Sequence, residues 1–298
     1  AVLRGIVLDS PCECIASSSP ATAQAPISAT VALQFMNQRD IHQLPVVDPD
    51  GNVVELILRK DIVAQVTPRL SAVIMAGGYG KRLLPLTEHV PKPMLPVGDR
   101  PLLERTIEQL RQSGIRDISL ITHYLAESIE QHFGDGRLFG VRLSYVQEDN
   151  PLGTAGGLKL MKKPGRPFVV INGDILTGLS FEAMHDYHRK SGAVITVGVR
   201  KYEMKVPYGV VECNEVGIVA LKEKPSLTFF VNAGIYLLEP SAYDYIPSDQ
   251  HFNMTDLIQN LLERKMPVAS FPIMEYWLDV GQHEDYRRAQ EDVRSGKI

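Results

Sequence analysis

The chain has 298 residues, 44% hydrophobic and 22% charged, with a formal net charge of −4; that suffices for one large domain and a small one of ordinary globular composition. Lys and Arg are scattered rather than run together, which gives no electrostatic reason to expect nucleic acid as a partner. No apolar run approaches the roughly 20 residues of a membrane span, and three cysteines, an odd number, argue against a disulfide framework and for a reducing cytoplasm.

Residues 1–70 read as a unit of their own. The chain starts Ala-Val-Leu, so further residues upstream are expected. Residues 3–9 read as a strand. Cys12 and Cys14 make a lone C-x-C without a second ligand pair, which suits ordinary small residues better than a zinc site. Residues 17–26, rich in Ser, Ala and Pro, read as a connection. Val31, Leu33, Phe35 and Met36 are compatible with a short helix over 30–39. Two strands, 44–48 and 52–58, follow around a Pro-Asp-Gly turn at 49–51, and Asp61 opens another helical segment.

From Ser71 strands and helices alternate, the pattern of an α/β sheet wrapped by helices. A short apolar strand (Val73, Ile74, Met75) breaks at Gly77, Gly78 and Gly80. Residues 101–113 are amphipathic, with Leu102, Leu103, Ile107 and Leu110 on one face; Pro101 suits the first turn and Gly114 closes the helix. Strands are expected at 117–122 and 141–147, with a helix at 126–133 between them. Residues 168–171 are wholly apolar and so read as a central strand. A helix at 181–190, strands at 193–199 and 209–213, a helix at 255–265, a strand at 268–271 and a helix at 283–294 complete the unit. His185 and His188 lie three apart on a helix with no third ligand in view, and read as surface residues. Lys222 and Glu215 read the same way.

The break after the first strand is chemically the most informative stretch. Glycines let backbone N–H groups approach phosphate oxygens closely. Lys81 and Arg82 follow at once, and Lys92 sits between Pro91 and Pro93. A guanidinium can fork onto phosphate oxygens, and an ammonium fixed by prolines supplies a point charge. Together Ala76, Gly77, Gly78, Gly80, Lys81, Arg82 and Lys92 read as a triphosphate cradle. It is not a P-loop, because Met75 stands five before Gly80 and Lys81 is followed by Arg82; nor is it a dinucleotide fingerprint, because Leu83 stands where a third glycine would be.

The stretch A-G-G-Y-G-K-R-L-L-P-L-T followed by P-K-P-M-L-P resembles the signature of the sugar-phosphate nucleotidyltransferases, mannose-1-phosphate guanylyltransferase-like members in particular. Lys81 in place of Thr or Ser is the one conspicuous departure. The resemblance covers residues 71 to about 290 and implies a Rossmann-like α/β fold with a mixed, mostly parallel sheet. It implies that Glu148 and the backbone near Gly153 and Thr154, in E-D-N-P-L-G-T-A-G-G, read the base; a helix start with exposed N–H groups suits a nucleotide. Asp174 of N-G-D and Asp279 of W-L-D-V-G would together hold Mg²⁺, with Arg82, Lys92 and Asp174 as the catalytic set. Gly209 of Y-G, Glu223 and Lys224 of E-K-P, and Asn232 of N-A-G would bind the sugar phosphate.

Residues 1–70 resemble a partial CBS module, through Ile41, Leu44, Pro45, Val46, Val47, Asp48 and Gly51, with residues 3–9 as the closing strand of a preceding repeat. The family's adenine-nucleotide site uses a hydroxyl and an Asp after each closing strand. Here Leu58 replaces the hydroxyl while Asp61 is kept, and Leu8 and Pro11 replace both in the first repeat. A leucine offers no hydrogen bond, so packing as a homodimer is the expected role rather than ligand sensing.

The implied activity is a cytoplasmic, Mg²⁺-dependent transfer of a nucleoside monophosphate to a sugar 1-phosphate, with release of pyrophosphate. GTP ranks first, since an ionised Glu148 matches the two adjacent donors of guanine; UTP is second and CTP third. A non-catalytic nucleotide-sugar-binding regulator is the alternative from another class. Retention of Asp174, Asp279, Arg82 and Lys92 argues against it.

Overall fold

The structure, a computed structural model, describes residues 11, 17, 19–59, 61–62 and 70–298. The chain divides into two compact units, Ala1–Pro68 and Arg69–Ile298. The readings made above for residues 3–9, Cys12 and Cys14 lie outside the described residues.

In the first unit β1 (Ala23–Gln24) runs parallel to β2 (Gln43–Val47), and β2 pairs antiparallel with β3 (Val53–Leu58). Helix α1 (Ala29–Arg39) starts where the Ser28 hydroxyl accepts the Val31 N–H, and stops at Asp40, which is left-handed. Ala32, Leu33 and Met36 pack with Leu44 and Ile62. Asp48 makes the following turn by accepting the N–H groups of Asp50 and Asn52. Among the described residues β3 lies at the edge of this sheet, and it exposes Val53, Val54 and Leu56.

The second unit contains β4 (Ser71–Met75), β5 (Pro96–Val97), β6 (Arg100–Pro101), α2 (Leu102–Gln112), β7 (Asp117–Thr122), α3 (Ala126–Phe133), β8 (Arg142–Gln147), α4 (Gly153–Gly156), β9 (Phe168–Asn172) and β10 (Ile175–Thr177). It continues with α5 (Phe181–Ser191), β11 (Ile195–Lys205), β12 (Val210–Cys213), β13 (Ile218–Lys222), β14 (Ser226–Leu238), α6 (Met254–Glu263), β15 (Val268–Pro272), β16 (Trp277–Asp279) and α7 (His283–Arg294). Seven strands form one sheet in the order β15-β11-β14-β9-β4-β7-β8. Only β14 runs against the others. The apolar strand β9 lies at the centre, as its composition requires.

Alternate residues of each central strand feed two cores. Ala72, Ile74, Val169 and Ile171 pack with α2, α3 and α5 through Leu103, Ile107, Phe133 and Phe181. Val73, Phe168 and Val170 pack on the other face with Leu257 and Leu261 of α6. A sheet covered on both faces explains why its strands lack polar alternation.

Three features differ from expectation. His185 and His188 are buried, not superficial, because α5 turns both onto the sheet. There the Nδ1 of His188 meets the Thr196 hydroxyl at 2.7 Å and its Nε2 lies 3.3 Å from a Glu239 carboxylate oxygen. Strands β10 and β16, three residues each, exist only by pairing with one another. Finally, β11 and β14 run past the sheet as a two-stranded arm with Tyr202 opposite Phe229 and Met204 opposite Leu227. No strand is expected from the sequence over 226–238; β14 forms there by pairing with β11 and β9.

Candidate active site

Four parallel strands end together. Met75 lies opposite both Ile121 and Asn172, and Thr122 opposite Gln147. Ala76, His123, Glu148 and the Asn172-Gly173-Asp174 turn therefore leave the sheet at one edge, the carboxyl edge where open α/β sheets bind ligands.

Beyond β4 the chain forms the glycine loop. Gly80 is left-handed at φ 61, and a Cβ there would lie 2.8 Å from the Thr87 methyl and 3.1 Å from Lys92 Cβ. Thr87 is buried and donates its hydroxyl to the Gly80 carbonyl at 2.9 Å. Lys81 and Arg82 then stand exposed on a single 3₁₀ turn, Lys81–Leu83. A second such turn, Lys92–Met94, buries Lys92 and sets its Nζ 2.5 Å from Asp174 Oδ2.

The two aspartates meet because β10 and β16 pair. Ile175 lies opposite Asp279, and the Val280 N–H donates to the Asp174 carbonyl at 2.9 Å. Oδ1 of Asp174, Oδ1 of Asp279 and Oδ1 of Asn172 are all buried without a hydrogen-bond partner. Burial, and next the charge of Asp174, push the Asp279 carboxyl up to about 6, against the pull of Lys92 and Arg82. Orphaned carboxylate oxygens that repel one another fit a hard divalent cation. Among the described residues no cluster of three or more His, Cys, Asp or Glu forms a larger metal site.

Glycines let these pieces close up. The Gly173 N–H donates to the Met75 carbonyl, and a Cβ on Gly173 would lie 2.8 Å from that oxygen. A Cβ on Gly234, left-handed at φ 69, would lie 2.7 Å from the Asn172 amide nitrogen. The Trp277 indole N–H donates to the Ala233 carbonyl at 2.9 Å, joining the W-L-D and N-A-G stretches.

Glu148 is buried between two glycine-rich segments. A Cβ on Gly77 would lie 3.0 Å from its Oε2, and one on Gly157 only 2.5 Å from its Oε1. Burial raises its carboxyl above the ordinary range, opposed by the Leu152 N–H, which donates to Oε1 at 3.3 Å, and by the charges of His123 and His251. The expectation of free N–H groups at the start of α4 needs correction. Thr154 N–H is directed to Asn253 Oδ1, and the N–H groups of Ala155 and Gly156 to the Phe252 carbonyl. The glycines at 153 and 156 admit that close approach: Cβ atoms there would lie 2.8 Å or less from atoms of residues 250–253. Gly153 and Thr154 thus fasten this loop in the unliganded chain.

The structure brings Ala76, Gly77, Gly78, Gly80, Lys92, Asp174, Asp279 and Glu148 to one edge. Arg82 joins them: a Cβ on Gly281 would lie 3.6 Å from Arg82 Nη1 and 3.5 Å from Asp279 Oδ1. Gly209, Glu223 and Lys224 cluster with one another on exposed turns where the β12–β13 pair meets the arm. Gly209 lies against Glu223 Oε2, and Lys224 Nζ is 4.0 Å from Glu223 Oε1. Asn232, on β14, accepts the Gly234 N–H at 3.0 Å and so fixes the N-A-G backbone. Sequence reasoning passed over Thr87 and His123. Thr87 closes the quoted P-L-T stretch, and His123 follows β7 as Ala76 follows β4.

The nucleotidyl transferase family profile matches residues 71–296, and the CBS domain profile matches residues 12–67. The chain belongs to the nucleotidyl transferase family. A UTP–glucose-1-phosphate uridylyltransferase of Synechocystis sp. is 36% identical over 77% of this chain and 64% of its own length. A mannose-1-phosphate guanyltransferase of Candida albicans is 35% identical over 73% of this chain and 62% of its own. The chain thus spans somewhat under two thirds of the length of these relatives. Among solved structures, a putative glucose-1-phosphate thymidylyltransferase from Bacillus anthracis superposes with a TM-score of 0.62 at 27% identity, covering 76% of this chain and 95% of that one. Among the described residues no helix is long and apolar enough to cross a membrane.

Proposed function

We infer that this transferase moves the nucleoside monophosphate of GTP onto a sugar 1-phosphate and releases pyrophosphate. The observation that carries the reading is the pair of orphaned carboxylate oxygens on Asp174 and Asp279, set beside Lys92 and Arg82 and at the same sheet edge as the glycine loop. A phosphate oxygen of the sugar 1-phosphate attacks the α-phosphorus, that P–O bond forms, and the bond to the bridging oxygen of the leaving pyrophosphate breaks. Two anions must meet, so offsetting charge and aligning the reactants supply the catalysis, and no nucleophilic side chain is required.

Arg82 and Lys81 would bind the triphosphate with the N–H groups of the glycine loop, and Lys92 holds Asp174 in place while adding positive charge. Asp174 and Asp279 would hold Mg²⁺, which would supply positive charge to offset that of the reacting phosphates. Glu148 would accept from guanine N1–H and the 2-amino group, since each carboxylate oxygen keeps a free lone pair even with Leu152 bound. Lys224 and Glu223 would bind the phosphate and hydroxyls of the sugar, with Gly209 and Asn232 shaping that pocket. UTP is the second reading, favoured by the uridylyltransferase named among the relatives. The reaction belongs in the cytoplasm, where a chain with an odd cysteine count stays reduced.

The apolar edge strand β3 supports a homodimer through the CBS unit. The test of function is pyrophosphate release by the full chain from GTP, UTP or CTP with a panel of sugar 1-phosphates. Release with GTP foremost is expected, and no release with any pairing would overturn the reading.

A further inference from the structure

Three of the four residues of the loop at 77–80 are glycines, so Tyr79 carries the only side chain by which the fold can grip it. That grip is His123. Its Nε2 lies 2.8 Å from the Tyr79 hydroxyl, and its Nδ1 lies 2.7 Å from the backbone carbonyl oxygen of Glu148. A carbonyl only accepts, so Nδ1 carries the proton; in the neutral ring Nε2 then accepts from the Tyr79 O–H. The two rings meet edge-on, with centroids 5.3 Å apart and planes at 84°. Tyr79 also leans on Tyr124 at 5.4 Å, and Tyr124 donates its hydroxyl to the Glu88 carbonyl at 2.8 Å. Gly77 passes so close that a Cβ there would lie 3.2 Å from His123 Cβ.

We propose that His123 is a positioning residue for the nucleotide, tying the glycine loop, gripped through Tyr79, to the Glu148 segment, gripped through its carbonyl. The proposal rests on the triphosphate reading of this site. A loop of three glycines loses more backbone entropy on ordering than any other sequence. With the hydroxyl–imidazole bond in place, part of that ordering is complete before the ligand arrives, and affinity rises accordingly. Loss of the bond therefore weakens whatever uses the loop, the β- and γ-phosphates, and spares what does not.

Tyr79→Phe keeps the ring and removes the hydroxyl. His123→Asn keeps a donor near the position of Nδ1 and removes Nε2, so both variants break the same bond. Calorimetric titration of the full chain and each variant with GTP, UTP and GMP tests the proposal. The preferred triphosphate is expected to bind about five- to tenfold more weakly to either variant, with GMP affinity and the thermal midpoint unchanged. The double variant should be no worse than either single one. Equal triphosphate affinity in all proteins, additive losses, or a parallel loss of GMP affinity and thermal stability would each overturn this proposal alone. Failure of the unaltered chain to bind either triphosphate would overturn the triphosphate reading and the proposal with it.

Discussion

Replacing Asp279 with Asn should abolish the proposed nucleotidyl transfer and, without a divalent cation, stabilise the protein. Burial and the facing charge of Asp174 push the Asp279 carboxyl up to about 6 from an ordinary 3.8. A gap of that size corresponds to on the order of 3 kcal/mol before solvent screening, which lowers it for a carboxyl that is only partly buried. The folded value is the raised one, so its stabilising contribution is complete below the unfolded value and is lost as pH rises through about 6. At neutral pH without a cation, the ionised side chain therefore costs the folded state up to that amount. Asparagine removes the charge and offers an amide donor to the orphaned Oδ1 of Asp174, for a gain on the order of 1–3 kcal/mol. For a unit of this size that is a rise in melting temperature of about 2–12 °C. The assay is thermal unfolding in EDTA near neutral pH, beside pyrophosphate release in Mg²⁺. Added Mg²⁺ should raise the melting temperature of the unaltered chain and leave the variant almost unmoved, while turnover falls on the order of 100-fold or more. A melting temperature in EDTA that stays level or falls, or a variant with full activity, would refute the electrostatic account of this pair.

Glu148→Gln turns one acceptor into a donor facing a donor, so GTP binding should weaken by on the order of 1–3 kcal/mol while UTP loses little; equal losses in a competition titration would mean that Glu148 fastens the loops rather than reads the base. His188 is held below the ordinary 6.5, chiefly by burial and despite Glu239, so the unfolded chain takes up its proton first. Stability should be level above about pH 6.5 and decline as the pH falls below it; a His188→Gln protein with an identical pH slope in thermal unfolding would contradict this. Leu56→Lys on the exposed edge strand of the CBS unit should shift light scattering from dimer towards monomer with pyrophosphate release retained, and an unmoved mass would place any self-association elsewhere.

Much of this protein is written locally. Helices at Asp117-flanked and C-terminal positions illustrate it: α3 and α7 begin and end where their patterns place them, and β7 spans the expected residues. An α/β sheet with Phe168 to Ile171 at its centre follows from alternating elements and from that apolar run, because periodicity and burial are properties of adjacent residues; the antiparallel strand β14 does not. The glycine loop, Lys92 and both aspartates are legible for the same reason, each lying in a short contiguous stretch.

Tertiary structure decided what depends on residues distant in the chain. The pairing of β10 with β16 places Asp174 beside Asp279 across about a hundred positions, and three-residue strands have no periodicity to read. The burial of His185 and His188 depends on which face of α5 meets the sheet, and the polar partners that make burial tolerable, Thr196 and Glu239, come from other elements. The N–H groups at α4 look free in sequence because their acceptors, Phe252 and Asn253, lie about a hundred residues away. A glycine announces that a Cβ would not fit; only the folded chain says what stands in its place.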